Sequence, residues 1–293
     1  MDNMTAKMSC FARAYHFNRP GIHVFEDPAA ERLLGDEYRQ IAGSLKQGVS
    51  FFLPEFNGNP KDGLQLVMER QLAPSVLGRS AFCERAWKNE TRLGCEQVIL
   101  FAAGYDSFSI LHNDRKVFEL DLPQVLADKK QRVEQAGLTS AAVYVPCDLS
   151  SGDWREALVQ AGFEPGRKAF ASLLGISYYL EKPAFGQLLN DIRSMTAQGS
   201  AICFDYPSAE ESHETKTNQA LAAGAGEAMK AVWSFEELER VLQDAGFLIY
   251  EHLDETEMTE QFFAAYNSGS PAHTMTAPKG VGYIAAVNKE NKN

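Results

Sequence analysis

The sequence predicts an α/β fold: a doubly wound, mostly parallel, seven-stranded Rossmann-like sheet with an N-terminal helical extension and a cap insertion. Three observations predict it. From residue 97 onward, short apolar runs alternate with amphipathic segments, the pattern of β–α units that close a parallel sheet. Before residue 96 those runs are missing and apolar residues recur at helical spacing. The chain has 293 residues, 45% hydrophobic and 23% charged, enough for one large α/β unit with a full core.

The extension, residues 1–95, holds two clear helical segments. In "DPAAERLLGDEYRQIAGSL", Asp27 is a candidate N-cap and Pro28 sits in the first turn, after which Leu33, Leu34, Tyr38 and Ile41 follow a helical period. "SVLGRSAFCERAWKNETRLG" is the second, ending near Gly94, and "FFLPEFNGNPKDG" between them reads as a loop. The core, residues 96–293, opens with the strand "QVILFAA", then "KVFELDL", "AAVYVPCDL", a strand within "KAFASLLGISYYL", and "SAICFDYP". The helices between them are "LPQVLADKKQRVEQAG", "GDWREALVQAGF" and "KPAFGQLLNDIRSMTAQG", with a right-handed crossover expected for each unit. A polar, then small-residue-rich stretch near 207–233 reads as the cap over the carboxyl edge of the sheet. In "SFEELERVLQDAGFLIYEHL", Ser234 and Glu237 form a capping-box pattern before a helix and a sixth strand, and "VGYIAAVNK" is the seventh. Extension and core are read as one structural unit.

Composition excludes several function classes. A formal net charge of −11 opposes binding to a phosphate backbone, so no nucleic-acid partner is expected. The five cysteines, at 10, 83, 95, 147 and 203, are odd in number and irregularly spaced, which fits free thiols in the cytoplasm. None of the six histidines joins a cluster with metal-ligand spacing, so no metal is expected. No apolar leader and no run of membrane-spanning length occurs. A monomer or dimer is expected.

In open α/β sheets ligands lie beyond the carboxyl ends of the strands. After the first strand stands Ala102-Ala103-Gly104-Tyr105-Asp106, where small residues admit a ligand close to the backbone. Asp121 ends the second strand, 17 positions after Gly104 (104 to 121), and Leu122 follows it. An ionised carboxylate there suits two adjacent ribose hydroxyls. Asp148 and Leu149 end the third strand; Asp148 is equally suited to accepting from an adenine amino group or to capping the next helix. The loop has one glycine where a pyrophosphate fingerprint needs three, which weakens a nicotinamide or flavin reading, and no P-loop or nucleophile-elbow motif occurs. A nucleoside ligand without a pyrophosphate remains, and S-adenosyl-L-methionine is the commonest such cofactor for this layout.

Four segments carry a family resemblance: "TAKMSCFARAYHF" with "VFEDPAAERLLG"; "LGRSAFCERAW"; residues 97–125, similar to "LGAGLDTR…FEVDLP"; and "CDLSSGDWREALVQAGFEPGRKAFASLLGISYYLEKPAF". Gly226-Glu227 and "FEELERVLQDAGF" extend it. The chain resembles class I S-adenosylmethionine-dependent methyltransferases, and within them the leucine carboxyl methyltransferase and polyketide-type O-methyltransferase family.

The resemblance implies that Arg79 grips the cofactor carboxylate, that Ala102 and Gly104 lie against its methionine part, that Asp121 with Leu122 holds the ribose, and that Asp148 and Leu149 hold the adenine. Arg13 lies near a basic position of the family. There are two departures. Leu174, in "LGISYYL", stands where the family has a Glu, leaving only backbone contact to the cofactor. Phe108, in "GYDSF", stands where it has an Arg. The implied reaction is O-methylation of a carboxylate or hydroxyl on a small molecule or peptide terminus. A non-catalytic nucleoside-binding protein on the same fold is the alternative that these departures raise. Tyr178 and Tyr179 alternate after the fourth strand, and Tyr179 is the candidate to face the methyl group. His16, His23 and His273 lie outside the core strands and are expected at the surface.

Overall fold

The structure is a computed structural model that describes residues 3–208 and 229–289. Most of the cap insertion expected near 207–233, including Gly226 and Glu227, lies outside the described residues. The strands are β1 (Gln97–Phe101), β2 (Lys116–Asp121), β3 (Ala142–Pro146), β4 (Ala169–Ser172), β5 (Ala201–Pro207), β6 (Phe247–Leu253) and β7 (Val281–Asn288). They form one seven-stranded sheet in the order β3-β2-β1-β4-β5-β7-β6. β7 runs antiparallel to both β5 and β6, and the pairs from β3 to β5 are parallel. β1, β4 and β5 are buried at every position, because helices cover both faces, so these strands read as continuous apolar runs.

Alternation along β1 divides the core. Val98 and Leu100 pack on one face with Phe11, Leu77 and Trp87 of the extension. Ile99 and Phe101 pack on the other with Trp154, Phe185 and Leu189. The 1–95 segment thus shares its core with the sheet.

The extension contains α1 (Met4–Phe17), α2 (Ala30–Leu34), α3 (Glu37–Gln47), α4 (Val49–Phe52), α5 (Pro60–Val67) and α6 (Ala73–Arg92). Three expectations change here. The 27–45 segment is two helices, broken at Gly35, whose φ of 56° ends α2; the apolar period continues across the break and conceals it. Asp27 lies two positions before the N-cap, Ala29, and its Oδ1 accepts from the N–H groups of Ala29 and Ala30 at 3.1 and 3.0 Å. The expected 51–63 loop contains the start of α5, which Asn59 caps by accepting from the Lys61 N–H at 2.9 Å. A widened π-helical turn, Met68–Leu72, joins α5 to α6.

Between and after the strands lie α7 (Phe108–Leu111), α8 (Pro123–Gln135), α9 (Trp154–Gln160), α10 (Lys182–Met195), α11 (Phe235–Asp244), α12 (Glu255–Met258) and α13 (Ala264–Gly269). The Ser234–Glu237 capping box at the start of α11 is formed in both directions. All five cysteines are buried free thiols. Among the described residues no helix is long and apolar enough to cross a membrane.

Candidate active site

Strand order reverses at β1, which lies between β2 and β4. A cavity of about 820 Å³ opens at the carboxyl ends of these strands, where such folds admit ligands. Its walls are the 102–106 loop, the end of β2, Leu174 and Gly175 after β4, one face of α6, and the first turns of α1.

The loop after β1 turns sharply. Ala102 has φ 47° and Gly104 φ 46°, left-handed values that are rare for a residue with a side chain, so Ala102 holds local strain. A Cβ on Gly104 would lie 3.0 Å from the Ala6 Cβ of α1, so the helix packs directly on bare backbone. Arg13 is buried and braces this loop, donating from Nη2 to the Tyr105 carbonyl at 2.7 Å while its Nε meets Asp27 Oδ2 at 2.7 Å.

Asp121 faces the loop. Its Oδ2 accepts from the Gly104 N–H and its Oδ1 from the Leu122 N–H, both at 2.7 Å. Burial pushes its carboxyl above the ordinary value, against the pull of those two N–H groups. A carboxylate offers about four lone-pair positions, so about two remain for a ligand.

Across the cavity, Arg79 on α6 donates from Nη2 to Ser9 Oγ at 3.1 Å, and its Nη1 lies 3.7 Å from Asp205 Oδ2. Asp205 is fully buried on β5; it also accepts from the Gly175 N–H at 2.7 Å and from the Tyr178 hydroxyl at 2.9 Å. Gly175 has φ 70°, and a Cβ there would sit 3.0 Å from Arg79 Nη1. Burial, then the nearby Asp205 charge, raises the Tyr178 pKa well above its ordinary value, so this hydroxyl stays protonated.

Arg79, Ala102, Gly104, Asp121, Leu122, Leu174, Arg13 and Tyr179 all line the cavity. Asp148 and Leu149 are not among its lining residues. Asp148 is exposed and accepts from the Ser150 N–H and hydroxyl at 2.8 and 2.7 Å; it does not cap α9, whose N-cap position is Asp153. Leu149 is half-buried against the far core. The two remain joined to the site through the backbone, where the Cys147 N–H donates to the Asp121 carbonyl at 2.9 Å. Phe108 is buried with its ring 5.7 Å from that of Trp87 and 4.4 Å from that of His112; it is not a lining residue, so this departure lies in packing. His16 contradicts the surface expectation: it is buried and accepts from the Val24 N–H at 2.9 Å.

Asp205, Gly175, Ser9 and Gln71 were not evident from the sequence. Asp205 had a usable signal, since "FDYP" places an acid near the end of a strand as "FELDLP" does. Its partner Arg79 comes from a distant helix, and only folding joins them.

Comparison with known proteins fits this geometry. The profile of the leucine carboxyl methyltransferase family matches residues 6–193. A Bacillus subtilis protein assigned by name to the S-adenosyl-L-methionine-dependent methyltransferases, YktD, is 33% identical over 306 aligned residues, covering 98% of each chain. A Mycobacterium marinum protein with the same assignment is 29% identical over 204 residues, covering 68% of this chain and 61% of its own. In fold, the crystal structure of a DUF574-family protein from Streptomyces avermitilis superposes with a TM-score of 0.58 at 13% identity, covering 98% of this chain and 97% of that one. The near end-to-end match in sequence, together with the family profile, establishes that this chain belongs to the leucine carboxyl methyltransferase family and is an S-adenosylmethionine-dependent methyltransferase.

Proposed function

We propose that the enzyme is an O-methyltransferase acting on a carboxylate or hydroxyl of a small molecule or peptide terminus, with carboxylate the favoured acceptor. The observation that carries this is the composition of the cavity lining. Met4, Met8, Leu45, Phe52, Leu72 and Val76 offer an apolar chamber, and the cations Lys230 and Lys279 line the same cavity. A largely apolar lining that also carries cations suits an apolar acceptor that ends in an anion. An ionised carboxylate needs no proton removed before attack. Tyr178, whose hydroxyl donates to Asp205, is not a free base.

The cavity residues fit the cofactor. Arg79 presents a guanidinium fork for the amino-acid carboxylate. Asp121 offers its remaining lone pairs to the two ribose hydroxyls. Ala102 and Gly104 present bare backbone, Leu122 and Leu174 apolar walls, and Arg13 holds the loop in place. Asp148 and Leu149 stand at the adjoining strand end outside the cavity lining, and their adenine role rests on the family resemblance alone. Tyr179 faces the transfer region. Bound S-adenosylmethionine supplies a methyl already activated on a sulfonium. The protein aligns the acceptor with it and excludes water, and much of the acceleration comes from that positioning. The cytoplasm is the proposed location, supported by five free thiols, and the enzyme works as a monomer or dimer without nucleic-acid or membrane partners.

The test is transfer of a labelled methyl group from S-adenosylmethionine to a panel of carboxylic acids, alcohols and amines. Label released as methanol by mild alkali marks an ester. Alkali-stable label on nitrogen or carbon would overturn the proposal.

A further inference from the structure

Helix α6 lays one stripe along the cavity: Leu72, just before the helix, then Ser75, Val76, Arg79 and Ser80. A serine inside a helix can return its hydroxyl to a backbone carbonyl about one turn back. Ser194 does so to the Asp191 carbonyl at 2.7 Å, and Ser268 to the Ala264 carbonyl at 2.9 Å. Ser75 does not. Among the described residues its Oγ has no hydrogen-bond partner, yet the residue is only partly buried and the oxygen is not sealed from solvent. This hydroxyl therefore opens to the cavity that the residue lines, with both its donor and its acceptor capacity unused.

Helix geometry fixes where Ser75 stands on the stripe. Arg79 is four positions later, on the same face and roughly 6 Å further along the axis. At that end the guanidinium meets Gly175 and Asp205. At the other end Leu72 and Leu45 pack against the small apolar cluster that holds Phe52, and all three line the cavity. Along α6, Ser75 thus lies between an apolar wall and the cation proposed to hold the cofactor. An apolar acceptor resting on that wall, with its head toward the cofactor, brings the head to Ser75.

We propose that Ser75 orients the acceptor: its hydroxyl donates a hydrogen bond to one oxygen of the acceptor carboxylate and leaves the other oxygen free to attack. This rests on the acceptor reading above. The attacking oxygen forms a bond to the methyl carbon as the carbon–sulfur bond breaks and its electron pair stays on sulfur. The carboxylate charge and the sulfonium charge disappear together, and no proton moves. Ser75 is therefore neither acid nor base; it sets the angle of approach, where positioning supplies much of the rate. A hydroxyl donating to an ionised carboxylate makes a stronger bond than one between neutral groups, which suits contact with the head of the acceptor rather than its body.

The experiment measures binding of straight-chain alkanoates of six to twelve carbons by calorimetry, on the full chain saturated with S-adenosylhomocysteine, for the wild type, Ser75→Ala and Ser75→Thr. Ser75→Ala is expected to weaken each alkanoate that binds by about tenfold. The factor is the same at every chain length, because the lost contact is to the head group; a repacked wall would instead change the gain per methylene. Ser75→Thr keeps the hydroxyl and stays within about threefold of wild type. The S-adenosylhomocysteine affinity of both variants stays within about twofold of wild type, which shows that they are folded with the cofactor grip intact. A loss below about twofold in Ser75→Ala, a loss that varies with chain length, an equal loss in Ser75→Thr, or a parallel fall in S-adenosylhomocysteine affinity overturns the proposal and leaves the carboxylate reading standing. No alkanoate binding by the wild type overturns both.

Discussion

Arg79 Nη1 lies 3.7 Å from Asp205 Oδ2, so a cavity-lining cation on α6 meets a buried carboxylate on β5. The carboxylate is fully buried while the guanidinium keeps an edge toward the cavity. Asp205 is therefore a fixed counter-charge that holds Arg79 in place, with Gly175 and Tyr178 fixing the carboxylate in turn.

Replacing Arg79 tests two consequences at once. Arg79→Ala leaves Asp205 buried without its cation and is expected to lower unfolding stability by about 1–3 kcal/mol, measured by urea denaturation. It also weakens S-adenosylhomocysteine binding by about a hundredfold. Arg79→Lys keeps the charge but loses the planar fork, so stability recovers mostly while binding stays about tenfold weaker.

Gly175→Ala probes the same grip without changing any charge. The new Cβ meets Arg79 Nη1 at 3.0 Å, and the backbone must keep a φ of 70° that alanine disfavours. The expected result is a loss of about 1 kcal/mol in stability and about a tenfold weaker cofactor affinity by calorimetry.

Cofactor affinity should depend on pH through Asp121. Burial raises its carboxyl pKa in the free protein, and in the proposed cofactor pose the ribose hydroxyls bind the ionised form. Affinity for S-adenosylhomocysteine therefore falls on acidification earlier than for an ordinary carboxylate, and proton release accompanies binding in that range. The linkage to folding has the opposite sign. A raised folded-state carboxyl favours the native state below the unfolded pKa, and that contribution is lost as pH rises through the raised value. Asp121→Asn is expected to abolish both effects and to weaken binding by about a hundredfold.

His16 sets an acid limit on stability. Burial, with a smaller contribution from His23, lowers its pKa to about 4. A His with a depressed folded-state value contributes stability fully above its unfolded pKa and loses it as pH falls toward the folded value. Thermal midpoints should therefore drop between about pH 6.5 and pH 4, and His16→Gln, which retains an acceptor for the Val24 N–H, should flatten that part of the curve.

Much of the fold was legible because the signals were local. All seven strands lie within the apolar runs, and the Ser234–Glu237 capping box needs only four adjacent residues. The break at Gly35 was not legible, because Leu33, Leu34, Tyr38 and Ile41 keep a helical phase across it. The start of α5 was hidden inside a Gly- and Asn-rich stretch. In the site, Gly104 and Asp121 were readable because strand ends announce themselves. Asp205 and Gly175 were not, because their partners lie far away in sequence. Asp148 shows the converse: its strand-end position was clear, but the structure turns its carboxylate to Ser150.

In the proposed complex the cofactor spans the strand ends between Arg79 and Asp121. A crystal structure with S-adenosylhomocysteine tests it most directly. The expected result is the ligand carboxylate on the Arg79 guanidinium and both ribose hydroxyls on the Asp121 carboxylate, within hydrogen-bonding distance. A ligand bound elsewhere, or bound here with either side chain turned away, would contradict it.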